Sequence, residues 1–187
     1  GGTTAIDNSG VLTKNSTGAV TSTGAFSTTG AVNLAQNITT TNTDLTITGN
    51  LTLAEAATVT LSTGPGTAGD IQLSGAVDGT NGGAVETLTL QAGTGSATFG
   101  GALGTGDADM LTAVTITNAA ATGFAAVNLA GALTQTNAAT AGTTFNGTVS
   151  VGSADLKGTT YALNNSFASG GTTAIDNSGV LTKNSTG

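Results

Sequence analysis

Gly1 to Gly18 reads GGTTAIDNSGVLTKNSTG, and Gly170 to Gly187 reads the same residues again. All eighteen positions agree at an offset of 169 residues, from Gly1 to Gly170. Chance does not produce an identity of that length, and drift would have blurred an old duplication. The pattern predicts a tandem array, with one unit over residues 1–169 and the start of the next identical unit over 170–187. Sequences self-similar along their length build quasi-one-dimensional objects. On this reading Ile175, Val180 and Leu181 repeat the roles of Ile6, Val11 and Leu12 one unit further on, with Gly170 and Gly171 at the junction.

Just beyond the first copy, Val20, Phe26, Val32 and Ile38 place one large apolar residue at every sixth position. Gly-Ala precedes the first three. A helical stripe would repeat at three and four, so this is the rhythm of a coil that turns corners. From Asp44 onward the apolar residues alternate. Leu45 to Thr48, Thr58 to Leu61, Thr87 to Leu90 and Val114 to Thr117 each put aliphatics on one face and threonines on the other. The unit apolar-x-apolar-x-Gly-x-apolar recurs with glycines at Gly49, Gly75, Gly101 and Gly131. Glycine suits a backbone that bends where coils approach closely. Residues 64–69, 78–83, 93–95 and 104–109 read as Gly- and Asp-rich loops of varying length.

The composition agrees. Apolar residues make up 37% of the 187, but aromatics only 3%, so the core is built from Ala, Val, Leu and Ile. Such side chains fill a narrow interior, not a wide one. The expected fold is all-β, a parallel β-solenoid (a right-handed β-helix) with coils of about 18 to 30 residues. The alternative is a tandem antiparallel β-sandwich, for which Asn81-Gly82 and Asn146-Gly147 would serve as hairpin turns.

The Gly-Ala-apolar corners, the Thr-x-Thr strands and the phrase TFNGTVSV over Thr144 to Val151 resemble the β-strand repeats of giant bacterial surface proteins. Those repeats are in turn similar to filamentous-haemagglutinin-type adhesins. The resemblance implies an exported filament at the cell surface or in an extracellular matrix.

Composition also excludes function classes. Net charge is −7, from 10 acids against 3 lysines, with neither Arg nor His. Nucleic acid and anionic membrane surfaces both call for clustered cations, so neither is an expected partner. No apolar run is long enough for a membrane span. Without cysteine there is no disulfide or thiolate metal site. Without imidazole, Ser-His triads and His-dependent acyl transfer are out of reach, so no enzyme activity and no cofactor are expected. Calcium is the one ion weighed, because Asp70, Asp78, Asp107 and Asp109 sit in Gly-rich loops. Thr46/Thr48, Thr58/Thr60, Thr87/Thr89 and Thr115/Thr117 would make a flat ice-binding face if they ranked together. Their uneven offsets of 12, 29 and 28 argue against it.

Three functions follow as expectations. The first is a structural extracellular fibre whose partners are its own neighbouring repeats. The second is an adhesin stalk presenting residues 78–83 or 104–109 to a cell-surface glycan or protein. The third is a subunit that polymerises by strand addition.

Overall fold

Val20–Ser22, Phe26–Thr28, Val32–Leu34 and Ile38–Thr40 are four strands of three residues each. Each lies on a different face from the one before, until Ile38 pairs in parallel with Val20. Three residues of strand and three of corner make one side of a triangle, and three sides close a coil. The computed structural model describes residues 2–66, 69–80, 85–139 and 142–184. Throughout them the chain winds in this way, as a parallel β-solenoid of about eight turns without helices. Every strand pairing among the described residues is parallel, so the antiparallel sandwich is contradicted. Asn146-Gly147 is a corner between the strands Gly142–Phe145 and Val149–Val151, not a hairpin turn. Asn81-Gly82 and the Gly83 corner lie outside the described residues.

Three sheets run along the axis. The first stacks nine strands, from Thr4–Ile6 and Phe26–Thr28 at one end to Tyr161–Leu163 and Leu181–Lys183 at the other. The second runs from Leu12–Lys14 through Val77–Asp78 and single bridges at Leu103 to Val127, Val149–Val151 and Phe167–Ser169. The third runs from Val20–Ser22 to Ser153–Gly158 and Thr173–Asn177. Val127–Ala139 bends through a corner, so it serves the second and third sheets in turn. Coil length varies from 18 residues, Thr143 to Tyr161, to 29 residues, Thr58 to Thr87.

Alternation fills the lumen. Leu45 and Ile47, Leu51 and Leu53, and Val59 and Leu61 all turn inward and are buried. Each such side chain contributes about 1.5–3 kcal/mol of hydrophobic stabilisation. Identical faces stack: Phe99, Phe124 and Phe145 pile up with ring centroids 5.0 Å apart at both steps, and Phe167 meets Phe145 edge-on.

The corner glycines explain themselves by close approach. A Cβ on Gly49 would stand 2.3 Å from the carbonyl carbon of Gly30, and one on Gly101 would stand 2.4 Å from that of Gly75. Gly131 leaves this column. It lies within Val127–Ala139, where a Cβ would meet the carbonyl oxygen of Thr112. Its sequence phrase therefore marks a different corner from the one the first three mark.

Candidate functional site

The two ends of the coil stack are the features the sequence singles out, and each is finished by a copy of the same peptide. At the first end, Thr4, Ala5 and Ile6 pair with Phe26, Ser27 and Thr28 in the first sheet. Leu12, Thr13 and Lys14 pair with Val32, Asn33 and Leu34 in the second. At the other end, Thr173 to Asn177 pair with Ala154 to Gly158 in the third sheet. Leu181, Thr182 and Lys183 pair with Tyr161, Ala162 and Leu163 in the first.

The equivalent residues therefore pair side by side with the coil stack but do not share faces. Ile6 is on the first sheet and Ile175 on the third, whereas Leu12 is on the second and Leu181 on the first. The second copy thus lies one face away from the position of the first. Val11 and Val180 are both 63% exposed, because each lies in a corner ahead of the strand that opens at Leu12 or Leu181. Ile6, Leu12 and Ile175 are partly buried against the core, and Leu181 is exposed. Gly170 and Gly171 are exposed in the corner before Thr173, with the Gly170 N–H donating to the Val151 carbonyl at 2.9 Å.

Both copies keep the same turn, although the strand before it is three residues long in the first copy, Thr4–Ile6, and five in the second, Thr173–Asn177. The Asn8 side-chain amide donates to the Gly10 carbonyl at 2.7 Å, and Asn177 donates to Gly179 at 2.8 Å. This Asx-type turn is what the DNSG run encodes. Beneath the first rung the lumen opens as an apolar cavity of about 130 Å³, lined by Ile6, Leu12, Val20, Phe26, Val32 and Leu34 among others. The Lys14 stem also lines it, while its ammonium turns out at the corner onto the Ser16 carbonyl and hydroxyl, both at 2.7 Å. A long basic side chain can line an apolar wall while its head stays in water.

The four weighed carboxylates fall into two places. Asp70 lies in a column with Asp44. The Asp70 N–H donates to Asp44 Oδ1 at 2.9 Å, and Asp70 Oδ1 accepts from the Ser96 N–H at 2.8 Å. Asp78 and Asp109 share another corner, where Asp78 Oδ1 accepts from the Thr105 N–H at 2.7 Å and the Asp109 carbonyl accepts from the Gly79 N–H at 2.8 Å. Asp107 is exposed in the same loop. Asp44, Asp70 and Asp78 thus tie one coil to the next through backbone amides. Among the described residues no group of three acidic, His or Cys side chains is arranged to hold a metal.

Two features differ from what the sequence suggests or escape it. The threonine offsets argue against a rank, yet Thr60, Thr89, Thr115 and Thr134 align in successive coils on the outer face of the third sheet. Coils of different length absorb the uneven offsets at their corners. Glu86 is fully buried, accepting from the Ala56 N–H, the Thr80 hydroxyl and the Val85 N–H at 3.1 to 3.3 Å. Its signal is the alternation itself, which puts Glu86 in phase with the inward Leu88 and Leu90.

No protein-family model matches the chain, and no curated protein or solved structure matches it either. The class is given by the coil: this is a parallel β-solenoid protein, closed along its length by paired strands.

Proposed function

We propose that the protein is a structural unit of an extracellular or cell-surface fibre in which identical solenoid units continue one another end to end, with no catalytic role. The observation that carries this reading is that strands from the same repeated sequence, Thr4–Ile6 and Leu12–Lys14 in one copy and Thr173–Asn177 and Leu181–Lys183 in the other, lie at the two ends of the described stack. An open strand edge templates further pairing, and here the sequence that pairs at either edge is the chain's own. The charge of −7 favours solubility of such rods and disfavours lateral clumping. The test is the length of chains carrying one, two and three units, by electron microscopy. Rods that lengthen by roughly 37 Å per added unit, at about 4.8 Å per coil, support the reading. Separate globules joined by linkers would contradict it.

A second reading, a stalk that presents loops to a cell-surface glycan or protein, is favoured by one observation. The corners after Asp78 and after Leu103 lie in adjacent coils and are hydrogen-bonded to each other. Shortening residues 104–109 would abolish binding to cells by a stalk of that kind and would leave a pure scaffold's assembly intact.

A further inference from the structure

The two copies of the terminal peptide use opposite sets of backbone groups. In the first copy the upward bonds belong to Thr4, Ile6, Leu12 and Lys14. Thr4 N–H donates to Ala25, Leu12 N–H donates to Ala31, and the Ile6 and Lys14 carbonyls accept from Thr29 and Ala35, at 2.7 to 3.2 Å. From Thr172 onward in the second copy the downward bonds belong to Thr172, Ser178, Gly179, Val180 and Asn184. At the 169-residue offset these are the counterparts of Thr3, Ser9, Gly10, Val11 and Asn15. None of these groups is used twice. Successive residues of a strand in a parallel sheet address opposite neighbours, so one peptide can make both sets of bonds at once.

We propose that in the assembled fibre a single copy of this peptide is a shared rung, seated on the last coil of one unit and carrying the first coil of the next, whose occupant is a second copy of this chain's unit. The proposal rests on the fibre reading above and adds its geometry. The columns it creates are specific. Ile6 (or Ile175) would lie between Leu156 and Thr28, Leu12 (or Leu181) between Tyr161 and Val32, and Thr13 (or Thr182) between Ala162 and Asn33. The lysine would lie between Leu163 and Leu34, its ammonium leaving the lumen at the corner as that of Lys14 does on Ser16.

The face shift sets the symmetry. From Thr4–Ile6 in the first sheet to Thr173–Asn177 in the third, the chain makes seven turns and two of the three faces. Each unit is therefore turned by a third of a turn from its neighbour, and any surface feature returns to the same side only at every third unit.

Two measurements test this. The chain has no cysteine, so pairs introduced into the 187-residue protein report register directly. Ala162→Cys with Thr182→Cys should crosslink on oxidation, because the two are direct neighbours. Ala168→Cys with Thr182→Cys should not. A second copy that kept the faces of the first would put Thr182 on the second sheet above Ala168 and reverse both results, overturning the proposal. Electron cryo-microscopy of a three-unit chain should show successive units rotated by a third of a turn. Rods whose units all present the same side would overturn the shared rung but leave the fibre reading standing, whereas the absence of rods would remove the fibre reading itself.

Discussion

The Cβ that Gly75 lacks would lie 2.6 Å from both the carbonyl carbon and the carbonyl oxygen of Gly49 one coil away. At that distance even a methyl group forces backbone apart, and the neighbours that would have to move are themselves hemmed in by Gly30 and Gly101. Gly75→Ala is expected to cost about 3 kcal/mol, at the upper end of overpacking penalties, read as a lowered urea midpoint. Gly10→Ala, where a Cβ meets nothing within 4 Å, should leave the midpoint unchanged. Equal effects at the two positions would contradict the close corner packing.

The Phe99–Phe124–Phe145 pile predicts a second result. Phe124 is 1% exposed, with a parallel ring 5.0 Å away on each side. Phe124→Ala should cost about 3–5 kcal/mol, and Phe124→Leu distinctly less. In a stacked-coil protein the damage should be centred on the coils that hold Phe99 and Phe145. Amide hydrogen exchange would show it there first, and uniform loss along the chain would argue against coil-by-coil stability.

Asp70 tests the role of the corner carboxylates. Asp70→Asn keeps an oxygen for the Ser96 N–H and should be nearly neutral, whereas Asp70→Ala removes the acceptor and should cost about 1 kcal/mol. A calcium titration that raises the melting temperature of the parent, and not of Asp70→Asn, would instead assign the carboxylate to a cation.

Tyr161 gives a pH dependence with a definite sign. Its phenol is pushed up to about 12, by burial first and then by Asp176 and Asp155. An unfolded tyrosine titrates near ~10. The folded state therefore holds the proton more tightly, and that stabilisation is complete below about pH 10 and lost as pH rises through 12. Tyr161→Phe should abolish this alkaline loss. It should not destabilise at neutral pH, since the Tyr161 hydroxyl is buried without a hydrogen-bond partner among the described residues. A parent protein whose stability is flat from pH 9 to 12 would contradict the burial of this side chain.

Much of this architecture is legible in the residues. The six-residue spacing of Val20, Phe26, Val32 and Ile38 becomes four successive faces, and the alternation in Thr87 to Leu90 becomes a dry and a wet side. What escaped depends on how coils of unequal length align. The offset between Thr60 and Thr89 says nothing of a rank until the corner between them has swallowed the extra residues. The same holds for Ile6 and Ile175. Their sequences are identical, but the face each occupies is the cumulative outcome of every corner between them, and no local pattern encodes that sum. Glu86 and Lys14 were in phase with inward neighbours all along. Their charge hides that phase from a reading based on hydrophobicity alone.

The most direct measurement is amide hydrogen exchange of the junction peptide in a two-unit chain, compared with the 187-residue protein. Continuous coiling predicts that the Thr173, Ile175 and Leu181 amides, whose first-copy counterparts pair with the next coil, slow to interior rates once a second unit follows. Exchange of these three amides that stays as fast in the two-unit chain as in the single unit would contradict continuous coiling.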